Sequence, residues 1–423
     1  MLFVNKSVKN FNILSIITAF LLFNVLVLPV VDNLSGILFK LKILGDSSIG
    51  SPSQLGRLVA FVFILYLIFF YLESNSKRLV SIVILYFLSI EWFAALLHLQ
   101  LLPFLYGAIV SSKIIYTALC AILFVELAKQ KLLTHQAFTY WFIFYGTVIS
   151  LLVLIAYISG FHISNYSKGI ATRGLFISGN GLGVVLGSCV LVLIHNIKSF
   201  SLFNVCHILL LLLTTALIGT KGALIFLLCG LLYFQLKVIK KHPFISILLV
   251  SVVIYSTYDI ISTFVSLIFQ NIIFKFQSID DKWLLLASSR DLFIKNAFDV
   301  VEWESLYSFR FLFGVGAYFG YLDPFDNVNN LRKLLENDLF ELFFSYGILS
   351  AIAYIIVYFW GLLICVRFKL FFYAGLLSLV FLHSITAGHV VFNGTSSIVL
   401  AFVIGLIKSA EISSIHKKNQ CNR

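Results

Sequence analysis

The chain has 423 residues, of which 61% are hydrophobic and 11% charged, with 30 Lys and Arg against 18 Asp and Glu. A soluble domain is roughly 45–50% apolar and about 25% charged, so this composition excludes one and indicates a polytopic membrane protein. Apolar runs near the ~20 residues that cross a bilayer recur along the whole length, which favours a helical bundle over a β-barrel of alternating ~10-residue strands.

In chain order, runs bounded by charges or turn residues predict about twelve spans: 11–31, 57–72, 79–97, 112–128, 138–160, 174–195, 203–219, 222–236, 244–268, 338–361, 370–387 and 389–407. The first ends in Pro29 and Asp32 without a small-residue cleavage site, so it reads as a retained anchor. The six cysteines lack metal-ligand spacing and imply no disulfide framework. The net charge of +12 sets topology in such a chain and does not point to nucleic acid. With the N-terminus inside, sixteen Lys and Arg fall on cytoplasmic segments and seven on short outer ones, which predicts both termini cytoplasmic.

The stretch 271–337 then lies outside as one large loop. It and the first residues of the next span hold eleven of the eighteen carboxylates. Trp283 to Ala297 mixes apolar and charged residues at helical spacing, as in a short amphipathic helix on the membrane surface. Phe313-Gly314-Val315-Gly316 and Asp323-Pro324-Phe325-Asp326-Asn327 read as turns. The expected organisation is an all-α polytopic membrane protein with a single membrane domain. Residues 1–270 form helices one to nine, 271–337 the loop, and 338–423 helices ten to twelve and the tail.

Spans six, eight, ten and twelve present their N-termini to the outer face, and each opens on a polar residue: Arg173, Lys221, Asp338 with Glu341, and His389. Helix N-termini carry partial positive charge, so two of them reinforced by Arg173 and Lys221 suit an anion such as a diphosphate. Each residue also has a structural reading. Arg173 could snorkel to the interface and Lys221 could be the tip of a tight hairpin. Asp338 and Glu341 resemble a capping box, and His389 could be a buried, satisfied histidine. His98, His162 and His383 read as structural. Glu91, Glu126 and Asp259 are the carboxylates in or near other apolar runs.

Arg173-Gly174-Leu175-Phe176-Ile177-Ser178-Gly179-Asn180-Gly181-Leu182-Gly183 resembles the Arg…Gly-Asn-x-x-Gly segment of the bacterial O-antigen polymerase and O-antigen ligase superfamily. Thr220-Lys221-Gly222 is similar to that family's Ser-Arg-Gly turn, with lysine in place of arginine. Glu336-Asn337-Asp338-Leu339-Phe340-Glu341-Leu342, leading to Tyr346-Gly347, resembles the entry to the helix after the large periplasmic loop. Ala387-Gly388-His389-Val390 is similar to the Gly-His of the last membrane helix in polysaccharide polymerases. Ligases usually carry His-Asn where this chain has Glu336-Asn337, so the resemblance favours a polymerase.

The resemblance implies glycosyl transfer at the periplasmic face of the bacterial inner membrane, without metal or cofactor. Donor and acceptor are undecaprenyl-diphosphate-linked oligosaccharides in membrane lipid, with a chain-length regulator as a further partner. Arg173, Asn180 and Lys221 are then expected on the diphosphate, and Arg290 and Arg310 on the second lipid or the glycan. Asp338, Glu341, Glu336 and His389 are the candidate bases, Asp338 first. Trp283, Trp303, Tyr307, Tyr318 and Tyr321 could stack on sugars or anchor the loop. Three alternatives stay open: an O-antigen ligase acting on lipid A core, a lipid-linked oligosaccharide flippase, and a non-catalytic scaffold. A transporter would more naturally place charges mid-helix and show related halves.

Overall fold

A computed structural model describes residues 11–43, 51–99, 101–165, 170–199, 201–239, 290–301, 309–321 and 335–421, with a few positions between 262 and 270. The first helical stretch is α1 (Phe11–Leu22), a π-helical turn (Phe23–Val27) and α2 (Leu28–Lys40). There follow α3 (Pro52–Tyr71), α4 (Ser74–His98), α5 (Leu101–Lys129), α6 (His135–Ile158), α7 (Gly179–Asn196), α8 (Leu202–Ile218) and α9 (Lys221–Ile239). Beyond these come α10 (Arg290–Val300), α11 (Phe309–Phe313), α12 (Gly316–Phe319), α13 (Asp338–Arg367), α14 (Phe371–Ala387) and α15 (Ser397–Cys421).

Among the described residues, nine helices are long and apolar enough to cross a membrane, and α8 and α14 are shorter apolar helices. The protein is therefore an all-α polytopic membrane protein. Every predicted span has its helix except 244–268, which falls almost wholly outside the described residues. The amphipathic segment expected over Trp283 to Ala297 is helical from Arg290 to Val300, its first residues lying outside the described ones. The turn expected at Asp323 to Asn327 also lies outside them.

The chain divides into two compact units. One comprises residues 1–20, 59–138 and 283–423, the other 21–58 and 139–282.

In the first unit α15 packs along α5, and α5 along α4. Phe124 sits at the centre, its ring 4.9 Å from Phe402 and 5.4 Å from Phe138. Helix α13 is broken at Tyr346 (φ −128°) and Gly347 (φ 73°). A Cβ at Gly347 would lie 2.3 Å from the Leu312 carbonyl oxygen, so only glycine allows the α11–α12 turn to touch the break. That turn is the predicted one, with Gly314 and Gly316 both at positive φ.

The groups the break exposes find new partners, as an apolar setting requires. Tyr86 donates its hydroxyl to the Tyr346 carbonyl at 2.6 Å, and Ser350 to the carbonyls of Gly347 (2.8 Å) and Leu342 (3.0 Å). Glu91, buried on α4, accepts from the Tyr346 hydroxyl at 2.6 Å and from the Ala317 N–H, at the start of α12, at 2.8 Å. The carboxylate that stood out inside an apolar run thus serves as an anchor for the break and for α12.

In the second unit α7 is buried along nearly its whole length and packs between α8 and α9. Asp32 and Arg57 tie α2 to α3 through contacts of 2.8 Å to both carboxylate oxygens. Gly219 closes α8 at φ 66°, and the Thr220 hydroxyl then accepts from the Ala223 N–H at 3.2 Å, which starts α9.

Candidate functional site

The site is built around the first turn of α13. Its N-cap is Asn337, whose Oδ1 accepts from the Phe340 N–H at 3.2 Å while Nδ2 donates to the Ile385 carbonyl at 2.6 Å. The capping box expected of Asp338 and Glu341 is therefore absent: the cap lies one residue earlier, and both carboxylates turn elsewhere. Asp338, 1% exposed, accepts on Oδ2 from the Ser384 hydroxyl (2.9 Å) and from the N–H groups of Val390 (2.9 Å) and Val391 (3.2 Å). Glu341, 2% exposed, accepts on Oε2 from the Tyr321 hydroxyl (2.7 Å) and the Leu335 N–H (3.0 Å). Residues three apart share a helix face, so one turn of α13 clasps two different segments of the chain.

The segment clasped by Asp338 leaves α14 at Gly388, at φ 64°. A Cβ there would lie 2.5 Å from the Glu336 carbonyl carbon and 2.9 Å from the Asn337 nitrogen. The Gly-His motif thus begins with a residue chosen for backbone-to-backbone contact. His389 follows, itself at φ 65°, and its carbonyl accepts from the Ser396 hydroxyl. The last helix does not open on His389, as the sequence suggested. Residues 388–396 are irregular and α15 begins at Ser397, because Asp338 takes up the N–H groups of Val390 and Val391.

Glu336, Asn337, Asp338, Glu341, His389 and Phe392 line a small cleft with room for about one water-sized group. Burial pushes the His389 imidazole below its ordinary value, Glu336 pulls it back up, and Arg290 and Lys113 add to the lowering. The lowered value favours the neutral ring, the form that accepts a proton. Glu336 pairs with Arg290 at 2.6 Å, and Arg290 also donates to the Thr386 carbonyl at 2.8 Å. Among the described residues, no group of three or more His, Cys, Asp or Glu is placed to hold a metal ion.

All four candidate bases and Arg290 are thus brought together. Arg310 is not one of the cleft residues: it lies in α11 and donates to the Gly320 carbonyl at 3.4 Å, bracing the α11–α12 turn. In the second unit, Lys221 is the first residue of α9, as expected, and Asn180 the second of α7. Arg173 departs from expectation. Helix α7 starts at Gly179 behind the Ser178 N-cap, and Arg173 lies before it in a short hairpin. There Ser164 and Thr172 form a β-bridge, and the guanidinium donates to the Ile177 carbonyl. Gly174, at φ 61°, turns the chain before the helix can begin.

Of the loop aromatics, Tyr321 serves Glu341 and Tyr318 packs edge-on to Tyr106 at 5.8 Å. Trp283, Trp303 and Tyr307 lie outside the described residues. Sequence reasoning missed Asn337, Ser384, Phe392 and Lys113. An asparagine before an apolar helix is a cap signal and could have identified Asn337. Nothing local marks the other three.

An apolar helical bundle with two buried carboxylates and a histidine gathered at one helix start defines a polytopic membrane protein with a small polar cleft. Residues 274–412, which include every residue of the cleft, match the family described as O-antigen ligase like membrane protein. This match supports a membrane enzyme of the O-antigen ligase and polymerase superfamily, acting in general on lipid-linked glycans. A comparison with curated proteins returned no match.

Proposed function

We propose that the chain is a surface-polysaccharide polymerase. At the periplasmic face of the bacterial inner membrane it transfers a glycan from one undecaprenyl-diphosphate carrier to a sugar hydroxyl of a second, without metal or cofactor. The observation that carries this reading is the cleft, where His389 is half-buried beside Glu336, Asp338 and Glu341 and its imidazole is held below its ordinary value. The acceptor hydroxyl must lose a proton as it attacks, and a neutral imidazole can take it. Asp338 and Glu341 already answer five donor contacts between them, so they fit loop-holding better than proton transfer. His389 is accordingly assigned as the base ahead of Asp338.

The leaving diphosphate gains charge as the glycosidic bond breaks, and Arg173, Asn180 and Lys221 are assigned to it, with Arg290 and Arg310 on the second lipid or the glycan. A lysine at 221 gives a point charge, without the bidentate fork of an arginine. Polymerase is preferred to ligase because Glu336, engaged with Arg290, stands where ligases usually carry a histidine.

The surface-polysaccharide banding pattern of cells lacking the gene tests this. Loss of the ladder, with a single repeat unit still attached to the lipid core, is the expected result. Loss of every attached repeat, with long chains accumulating on the carrier, would mean a ligase. An unchanged ladder would contradict both.

A further inference from the structure

Behind Asp338 three buried hydroxyls form a chain, and none of them lines the cleft. Ser384 on α14 lies 2.9 Å from Asp338 Oδ2, Tyr354 lies 2.6 Å from Ser384, and Tyr358 lies 2.9 Å from Tyr354. The directions of these bonds follow from the groups at one end. Oδ2 faces two backbone N–H groups, which can only donate, so it acts as an acceptor and Ser384 supplies the third hydrogen. With its proton spent, Ser384 accepts from Tyr354, and Tyr354 in turn accepts from Tyr358. Each hydroxyl polarises the next toward the carboxylate.

The chain also spans the break in α13. In a straight helix, residues 338 and 354 would be about 24 Å apart along the axis. Here Asp338 and Tyr354 meet at one hydroxyl, so the first turns of α13 fold back beside the later ones. Ser384 is the joint between the two halves.

We propose that Tyr358, Tyr354 and Ser384 are positioning residues that fix Asp338, and through its hold on Val390 and Val391 set the place of His389 in the cleft. This deepens the reading above and rests on His389 as the base. It explains why two tyrosine hydroxyls that do not line the cleft are strung in series behind one serine on Asp338, when buried hydroxyls need only some partner.

The test uses the full chain in lipid nanodiscs with lipid-linked repeat units as substrate. Ser384→Ala is expected to lower kcat about tenfold at unchanged KM, Tyr354→Phe less, and Tyr358→Phe least. Ser384→Thr, which keeps the hydroxyl, restores the rate. The Ser384→Ala/Tyr354→Phe double variant is no slower than Ser384→Ala, since the outer hydroxyl acts only through the inner one. Hydrogen exchange of the Val390 and Val391 amides quickens in Ser384→Ala and Tyr354→Phe, and not in the control Tyr373→Phe.

Tyr354→Phe removes one oxygen and keeps the test readable should Ser384→Ala fail to fold. Full turnover in His389→Gln would remove the base assignment alone, because the exchange rates judge the chain independently of activity. Exchange and kcat at parent levels in both hydroxyl variants, or strictly additive losses in the double, would overturn the proposal.

Discussion

At the start of α13, Asp338 and Glu341 are buried, and each accepts donors from outside its own helix, Asp338 from residues about 50 positions on and Glu341 from Tyr321 and Leu335 before it. Around α7 and α9, Arg173 and Lys221 are only half buried, and the Arg173 guanidinium donates to a carbonyl four residues along. A buried carboxylate holding several donors fixes geometry before any substrate arrives, at the cost of leaving those donors stranded when it is removed. A half-exposed cation is screened by water and contributes less to the fold. The first set should therefore reveal itself in stability and activity together, the second more in activity than in stability.

The sharpest way to break this comparison is to truncate one residue from each set. Asp338→Ala strands a serine hydroxyl and two N–H groups and should cost on the order of 3 kcal/mol in thermal or denaturant unfolding, along with the glycan ladder. Arg173→Ala should also remove the ladder at a smaller cost in stability, about 1 kcal/mol for its contact with the Ile177 carbonyl. Similar losses of stability would dissolve the distinction.

Gly388→Ala comes next. Its Cβ would meet backbone at 2.5 Å and must force residues 388–391 away from 335–337, for an expected loss of about 1–3 kcal/mol and most of the activity. Unfolding and elongation assays on the same preparation would check both.

The third prediction concerns pH. His389 is held below its ordinary value by burial, Arg290 and Lys113, against the pull of Glu336. Below about pH 6.5 the unfolded chain takes up a proton that the folded one refuses, so stability is full above that point and declines as pH falls toward the lowered folded value. His389→Gln should flatten that decline in unfolding experiments, and an undiminished slope would place the titrating group elsewhere. Elongation by the parent should likewise fall off at a lower pH than an imidazole of ordinary value would impose.

The smallest effect is expected of Tyr321→Phe. It removes one hydroxyl from the Glu341 clasp and leaves the Leu335 N–H in place, costing about 1 kcal/mol.

The spans were legible because bilayer thickness imposes the length of an apolar run, and the acidic stretch was legible because lipid would reject it. The break in α13 was not. A lone Gly347 in an apolar run looks like any tolerated glycine, and its meaning depends on Leu312, 35 residues earlier, lying against it. Asp338 and Glu341 admitted a capping reading beside the catalytic one because carboxylates suit a helix N-terminus whether or not they cap it. His389 looked like a helix start because Val390, Val391 and Phe392 continue the apolar pattern, and pattern does not record that two of those N–H groups are spent on Asp338. Arg173 was placed at a helix start for the same reason, with Gly174 the overlooked signal. Glu336, Asp338, Glu341 and His389 could nevertheless be picked out as one group, since chemistry-bearing residues are scarce in so apolar a chain.

The most direct test of the account is single-turnover elongation by His389→Gln in lipid nanodiscs loaded with lipid-linked repeat units. A fall of about 100-fold or more in the elongation rate, with binding of the lipid-linked substrate unchanged, is the result predicted for loss of the base in this cleft. A rate within about twofold of the parent would contradict it and move the chemistry away from the start of α13.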